Sequence, residues 1–374
     1  MNVKHIFLLA LVCLCTLNAT ICNAQTRANT NNPMQSTLDK KVDSVARSFI
    51  DSGKTVGLSI GIITQGKMYP YGYGETKKGN KIVPDANTIF EIGSITKTFT
   101  ATLLAWYVNE GKISLSDPIT KYLPDSVAAN KNLEGITVQM LSNHTSGLPR
   151  VPLNVFLDKE HDPANPYKHY NKQKMFSFLK ACKPMSKPGE KYSYSNYAVG
   201  LLGVLLENMD GGDSTYEQLV RKHICEPLKM FNTVQHLSLE QAYRHVSVYN
   251  EKGEQVLQWD CDAISAAGAL HSSSNDMLLY AKANMASDHT TLGKAISLTH
   301  NITFEGDIPV GLGWHYGRDK EHPIIWHNGG TGGSSSFMAF SKGKQYAIIV
   351  LSNSQNKVDA VGVELLRYLN TLQP

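Results

Sequence analysis

Strand-like segments lie near both ends of this 374-residue chain, and helix-like segments fill its middle. Buried strands need hydrogen-bonded neighbours, so the early and late strands are expected to complete one sheet, with the middle inserted between them. Val56 to Ile63 and Met68 to Tyr73 read as strands joined by a turn at Thr64-Gln65-Gly66. Ile324 to Trp326, Ser334 to Phe340 and Gln345 to Ser352 read as three more, the last two joined by a Gly-Lys turn. Helical spacing appears over Ser36 to Ser52, where Leu38, Val42, Val45, Ala46, Phe49 and Ile50 repeat. It recurs over Thr96 to Val108 and Val199 to Asn208, around Ala281 to Met285, and in a closing helix over Val358 to Leu372. The pattern predicts an α/β (α+β) fold: an α/β lobe of residues 36–95 and 265–374, with a mostly helical lobe of residues 96–264. No repeat or low-complexity block interrupts it.

The N-terminus reads as a secretory signal peptide, residues 1–24. Lys4 gives it a basic start, Ile6 to Leu17 an apolar run, and a cut after Ala24 follows small and polar residues. The run is shorter than the roughly 20 residues that span a bilayer, so no integral anchor is expected in the mature form. Ile21 ahead of Cys22 disfavours lipidation. Export to the periplasm or medium is the expectation, with residues 25–35 as a flexible lead. Removing Lys4 takes the net charge from +4 to +3, and the basic residues are scattered, which speaks against a nucleic-acid partner. Only Cys182, Cys225 and Cys261 remain, so one disulfide at most.

Three short elements carry chemistry. In Ser94-Ile95-Thr96-Lys97, positions i and i+3 at the start of a helix put an amine beside a hydroxyl that needs a base to become nucleophilic. The helix start also offers free N–H groups and partial positive charge, and Gly93 permits a sharp approach. The same spacing at Ser177…Lys180, Ser341…Lys344 and Ser354…Lys357 lacks that setting. Tyr194-Ser195-Asn196 follows a Pro-Gly turn, where a phenol near an ammonium can shuttle a proton and an amide can bind lysine and substrate. Tyr107-Val108-Asn109 lies too far along the Ser94 helix, and Tyr368-Leu369-Asn370 falls in the closing helix. In His327-Asn328-Gly329-Gly330, glycines let a substrate lie against a strand edge. The N–H of Gly330 could pair with that of Ser94 as an oxyanion hole.

The order Ser94, Tyr194, His327, at separations of 100 and 133 residues, resembles the active-site serine penicillin-recognising family, with its S-x-x-K, Y-x-N and K-T-G or histidine-type third motif. Leu141 to Pro149, Ala267 to Leu270 and Gly311 to Trp314 resemble the family too, so the likeness runs from about Val42 to Leu372. It implies a β-lactamase/transpeptidase-like fold, an antiparallel sheet flanked by helices with an inserted helical lobe. It implies Ser94 as the acylated nucleophile, Lys97 as its base, and Tyr194 as proton relay to the leaving group. Asn196 would orient the substrate amide, His327 would face the substrate carboxylate, and Gly329 would complete the substrate-binding set. The implied substrate is a small molecule or peptide: a D-Ala-type peptide, a β-lactam or an ester. The implied activity is a serine hydrolase; a carboxylesterase or D-amino-acid amidase on the same fold, and a non-hydrolytic penicillin- or muropeptide-binding protein, are the alternatives. Histidine in the third motif weakens the expected grip on a β-lactam carboxylate, because it need not be cationic at neutral pH.

Gly57-Leu58-Ser59-Ile60-Gly61 matches the G-x-S-x-G elbow, but that elbow needs a strand, turn and helix, and here a second strand follows. No cofactor is expected. No metal is expected either, since His-Glu-x-x-His is absent and His144 reads as a turn-bonding residue.

Overall fold

The computed structural model describes residues 28–286, 289–317 and 323–372. The expected signal peptide, residues 1–24, lies outside the described residues. The strands are β1 (Gly57–Thr64), β2 (Lys67–Gly74), β3 (Ile89–Glu91), β4 (Val248–Tyr249), β5 (Gln255–Val256), β6 (His271–Ser273), β7 (His315–Tyr316), β8 (Ile325–Gly330), β9 (Ser335–Ser341) and β10 (Tyr346–Ser352). The longer helices are α1 (Thr37–Ile50), α2 (Thr96–Asn109), α3 (Lys172–Ala181), α4 (Asn196–Met209), α5 (Ser274–Met285), α6 (Thr291–Thr299) and α7 (Asp359–Thr371).

One antiparallel sheet runs β2-β1-β10-β9-β8-β7, so early and late strands do pair: Ile60 faces Val350 and Ile62 faces Ile348. Every residue of β1, β9 and β10 is buried, because both faces are covered. On one face Leu58, Ile60, Ile62, Ile348 and Val350 meet Val42, Val45 and Phe49 of α1 and Leu365 and Leu369 of α7. On the other, Ile349 and Leu351 join Met277 and Leu278 of α5 and the helical half of the molecule. This alternation along β10 is the period-2 signal of a strand, and each buried aliphatic side chain stabilises the fold by about 1.5–3 kcal/mol. Ser59, the rejected elbow serine, lies inside β1 with its hydroxyl donating to Ser274 Oγ at 2.8 Å.

Residues 28–35 differ from the flexible lead expected for 25–35. Thr30 Oγ1 donates to Gly72 O at 2.7 Å, and the Asn31 side chain accepts from Gly72 N at 2.7 Å. Asn32 donates to Asp39 O at 2.8 Å. The physical reason is that β2 is an edge strand, and this segment covers its open hydrogen-bonding side.

α2 is buried on nearly all sides, from Thr96 through Ala105. Its threonines are satisfied locally or across the core: Thr98 donates to Ile95 O at 2.8 Å and Thr100 to Ala266 O at 2.6 Å. A helix held this way gives the residues at its N-terminus little freedom.

Candidate active site

Ser94 sits in a single turn of 3₁₀ helix, Gly93–Ile95, between β3 and α2. Two glycines let that turn press against the end of β8. Gly93 has φ +49°, and a β-carbon there would fall 2.6 Å from Gly330 N. One on Gly329 would fall 2.1 Å from Ile92 O and 3.0 Å from Ser94 N. No real β-carbon tolerates such distances, so both positions require glycine. The result brings the backbone of Ser94 beside that of Gly329 and Gly330.

Lys97 is 1 % exposed, and its Nζ donates to Ser94 Oγ at 3.0 Å and to Ala267 O at 2.6 Å. Burial, and then the nearby Arg150 guanidinium, push the amine well below the ordinary lysine range. The Lys97 Nζ lies 4.8 Å from the centroid of the Tyr194 ring. Burial pushes the Tyr194 phenol up, against a hydrogen bond with Ser94 that pulls it down.

Tyr194 is held by the turn that follows Ser142. His144 Nδ1 accepts from Ser195 N at 3.1 Å, His144 O accepts from Ser193 N at 2.7 Å, and Ser195 Oγ donates to Pro149 O at 2.6 Å. The His144 ring lies 4.3 Å from the Tyr194 ring. Accepting at Nδ1 places the His144 proton on Nε2, and burial keeps the ring neutral. Arg150 O accepts from the N–H groups of Asn196 and Tyr197 at the start of α4.

The other candidates from the sequence lie on β8 and at the start of α4. β8 runs on to Gly330, so the third motif is strand throughout, and its residues alternate. His327 is 1 % exposed, its Nδ1 donates to Asn328 O at 2.6 Å, and its ring lies 6.4 Å from Tyr194. Burial pushes it well below the ordinary histidine range. His327 thus lies as a buried imidazole beside Tyr194, while Asn328, Gly329 and Gly330 form the cavity wall. Asn328 Nδ2 donates to Asp359 Oδ1 at 2.6 Å. Asn196 donates to the Tyr167 hydroxyl at 3.4 Å, and its buried Oδ1 has no partner, leaving an open acceptor. Lys97 is not among its partners in the chain.

Ser94, Tyr194, Asn328, Gly329 and Gly330 line a cavity of about 470 Å³. A family model described as beta-lactamase matches residues 42–371. The chain belongs to the β-lactamase family. It is 28 % identical over 346 residues to a β-lactamase of Pseudomonas fluorescens, covering 83 % of this chain and 92 % of that one. It is 29 % identical over 324 residues to the D-alanyl-D-alanine-carboxypeptidase/endopeptidase AmpH of Escherichia coli K12, covering 82 % and 81 %. A solved class C β-lactamase mutant superposes with a TM-score of 0.80 at 25 % identity, over 90 % of this chain and 99 % of that one. The fold is thus that of the class C β-lactamases, and this β-lactamase-family chain is a serine hydrolase of the acyl-enzyme kind.

The β-lactamase-family cavity has walls that the motifs did not announce. Arg150, Tyr192, His315, Trp326 and Lys357 also line it. Tyr192 OH and His315 Nε2 lie 2.8 Å apart, and His315 stacks on Trp326 with ring centroids 4.8 Å apart. Sequence signals existed for two of them: Arg150 follows Pro149, and His315 follows Trp314, each the last residue of a stretch already recognised. Among the described residues, no helix is long and apolar enough to cross a membrane, and the three cysteines are free.

Glu91 went unread, although a carboxylate within Ile89-Phe90-Glu91-Ile92 is itself a signal. It is buried, and burial pushes its carboxyl up. It accepts from Trp259 N at 2.9 Å, Thr331 Oγ1 at 2.8 Å and Ser334 Oγ at 3.0 Å. It therefore ties β3, just before Ser94, to the turn just after Gly330. Glu91→Ala leaves three donors without an acceptor, at about 1–3 kcal/mol for each one left buried. The expected outcome is a melting temperature lower by at least about 5 °C, with a smaller drop for Glu91→Gln, whose amide oxygen still accepts. Calorimetry checks it; an unchanged melting temperature for Glu91→Ala would remove Glu91 from this role.

Proposed function

We propose that the chain is an exported serine hydrolase that cleaves a D-alanyl-type peptide or a β-lactam through an acyl-Ser94 intermediate. The observation that carries this reading is the 3.0 Å contact from the buried Lys97 amine to Ser94 Oγ. An amine held in its free-base form can take the hydroxyl proton as Oγ attacks the carbonyl carbon. The oxyanion then accepts from the N–H groups of Ser94 and Gly330, an arrangement of a kind worth about 3–4 kcal/mol per donor. Tyr194 passes a proton to the departing nitrogen, with Lys97 and Tyr194 sharing the acid–base work. Asn196 offers its open Oδ1 to the substrate amide N–H. Water enters where the leaving group was, and the same groups run the second half in reverse.

The relatives named β-lactamase and D-alanyl-D-alanine-carboxypeptidase support the substrate class. Export rests on the sequence of residues 1–24, and N-terminal sequencing of the periplasmic or secreted protein should begin at Gln25. A carboxylesterase is the second reading, favoured by the neutral, buried His327, which offers no cation to a carboxylate. Intact-mass spectrometry after brief exposure to a fluorescent penicillin, alongside nitrocefin turnover, tests the reading. A lasting adduct points to the peptidase and fast nitrocefin loss to the β-lactamase. Neither, with hydrolysis of p-nitrophenyl acetate intact, replaces both by the esterase.

A further inference from the structure

Arg150 is absent from all three motifs, yet it is built into the site from an unrelated turn. Its backbone carbonyl caps the start of α4, and its guanidinium carbon stands 4.8 Å from the Tyr194 ring centroid. That is the distance at which Lys97 Nζ also approaches the same ring. Arg150 lines the cavity with Ser94, and among the described residues no carboxylate forms an ion pair with it.

Among the described residues, the buried titratable groups packed against Lys97 and Tyr194 are uncharged. His144 from the turn before Arg150, His327 on β8 and His315 on β7 are all kept neutral by burial. Tyr192, Tyr167 and the Cys261 thiol are held protonated by the same effect. Lys357, Glu251 and Asp359 belong to the same cavity lining, with Asp359 engaged by Asn328. A lysine-type third motif would put a second cation on β8; here that position is His327.

We propose that Arg150 is a positioning residue: set over the Tyr194 ring that Lys97 also approaches, it places a fixed positive charge beside the Lys97–Ser94 pair. The inference rests on the acyl-Ser94 reading above. A permanent cation near an amine disfavours the ammonium, and a guanidinium stays charged across the whole working range. The guanidinium also sits over the face of the Tyr194 ring, a cation–π contact that favours this placement of the phenol.

The test is the pH dependence of Ser94 labelling by a fluorophosphonate, for wild type, Arg150→Met and Arg150→Lys, at low and high salt. In Arg150→Met the acid limb should move up by about one pH unit, so labelling on that limb falls about tenfold. Arg150→Lys should restore most of the midpoint, since the charge returns. Wild-type labelling should also shift upward with salt, because a charge on the cavity wall is screened, and Arg150→Met should lose that response. The side chain is exposed, so melting temperatures should agree within about 2 °C. An unmoved acid limb in Arg150→Met overturns the inference while leaving the acyl-Ser94 reading intact. Absence of any Ser94 label in the wild type overturns both.

Discussion

Ser94→Ala should form no covalent adduct with penicillin and lose at least about 10⁴-fold in turnover, with its fold unchanged. Removing a nucleophile from a constellation that acts as a unit costs as much as removing the constellation, which sets that scale. The fold should survive because, among the described residues, the Ser94 hydroxyl bonds only Lys97 and Tyr194, both anchored independently. Lys97 keeps its bond to Ala267 O, and the Tyr194 segment keeps those from its neighbours to His144 and Pro149. Ser59→Ala is the matching control. That hydroxyl is buried in β1 against Ser274 and should leave acylation untouched. Turnover retained by Ser94→Ala, or lost in a well-folded Ser59→Ala, would overturn the assignment of the nucleophile. Intact-mass spectrometry reads the first result directly, and circular dichroism melting separates loss of chemistry from loss of structure.

Much of this site was legible because its logic is local. Ser94 and Lys97 are one helical turn apart, and a glycine before a helix start is visible in any sequence. The sheet was legible through alternation, which β10 shows cleanly. What stayed hidden depends on packing. The strand reading stopped at Trp326 because Asn and Gly weaken strand propensity, yet pairing with β9 carries β8 on to Gly330. Alternation alone says that His327 and Asn328 point opposite ways; which of them meets the cavity follows only once β8 lies against the Ser94 turn. Helix α6 escaped because its Thr, Gly and Ser content is that of a loop, and contact with α2 overrides it. For Arg150 the sequence marked the position, just after Pro149, but not what its guanidinium meets. Its backbone caps α4 while its guanidinium meets the tyrosine that leads into that helix, and no spacing rule links positions 150 and 194.

Lys97→Met should lose at least about 10³-fold in acylation and yet melt higher than wild type near neutral pH. The loss follows from removing the base beside Ser94. The gain follows from burial, the main reason the Lys97 amine sits well below its ordinary range. In the unfolded chain that amine binds a proton up to about pH 10.4, whereas burial in the folded chain drives the proton off at lower pH. Unfolding therefore takes up a proton throughout the window between the lowered folded value and the ordinary one. Stability rises with pH across that window, and the penalty is largest at its acid end. Methionine has similar length and no charge to desolvate, so it escapes the penalty. It forfeits the hydrogen bonds to Ala267 O and Ser94 Oγ, about 1 kcal/mol each, a cost that does not vary with pH. The difference in melting temperature between Lys97→Met and wild type should thus be positive by a few degrees at the acid end of that window, shrinking toward about pH 10. A pH-independent difference of either sign would mean that Lys97 is charged in the folded protein, and Ser94 would need another base. A shrinking difference would show that this chain carries its catalytic lysine at a cost in stability, which a purely structural residue would have no reason to impose.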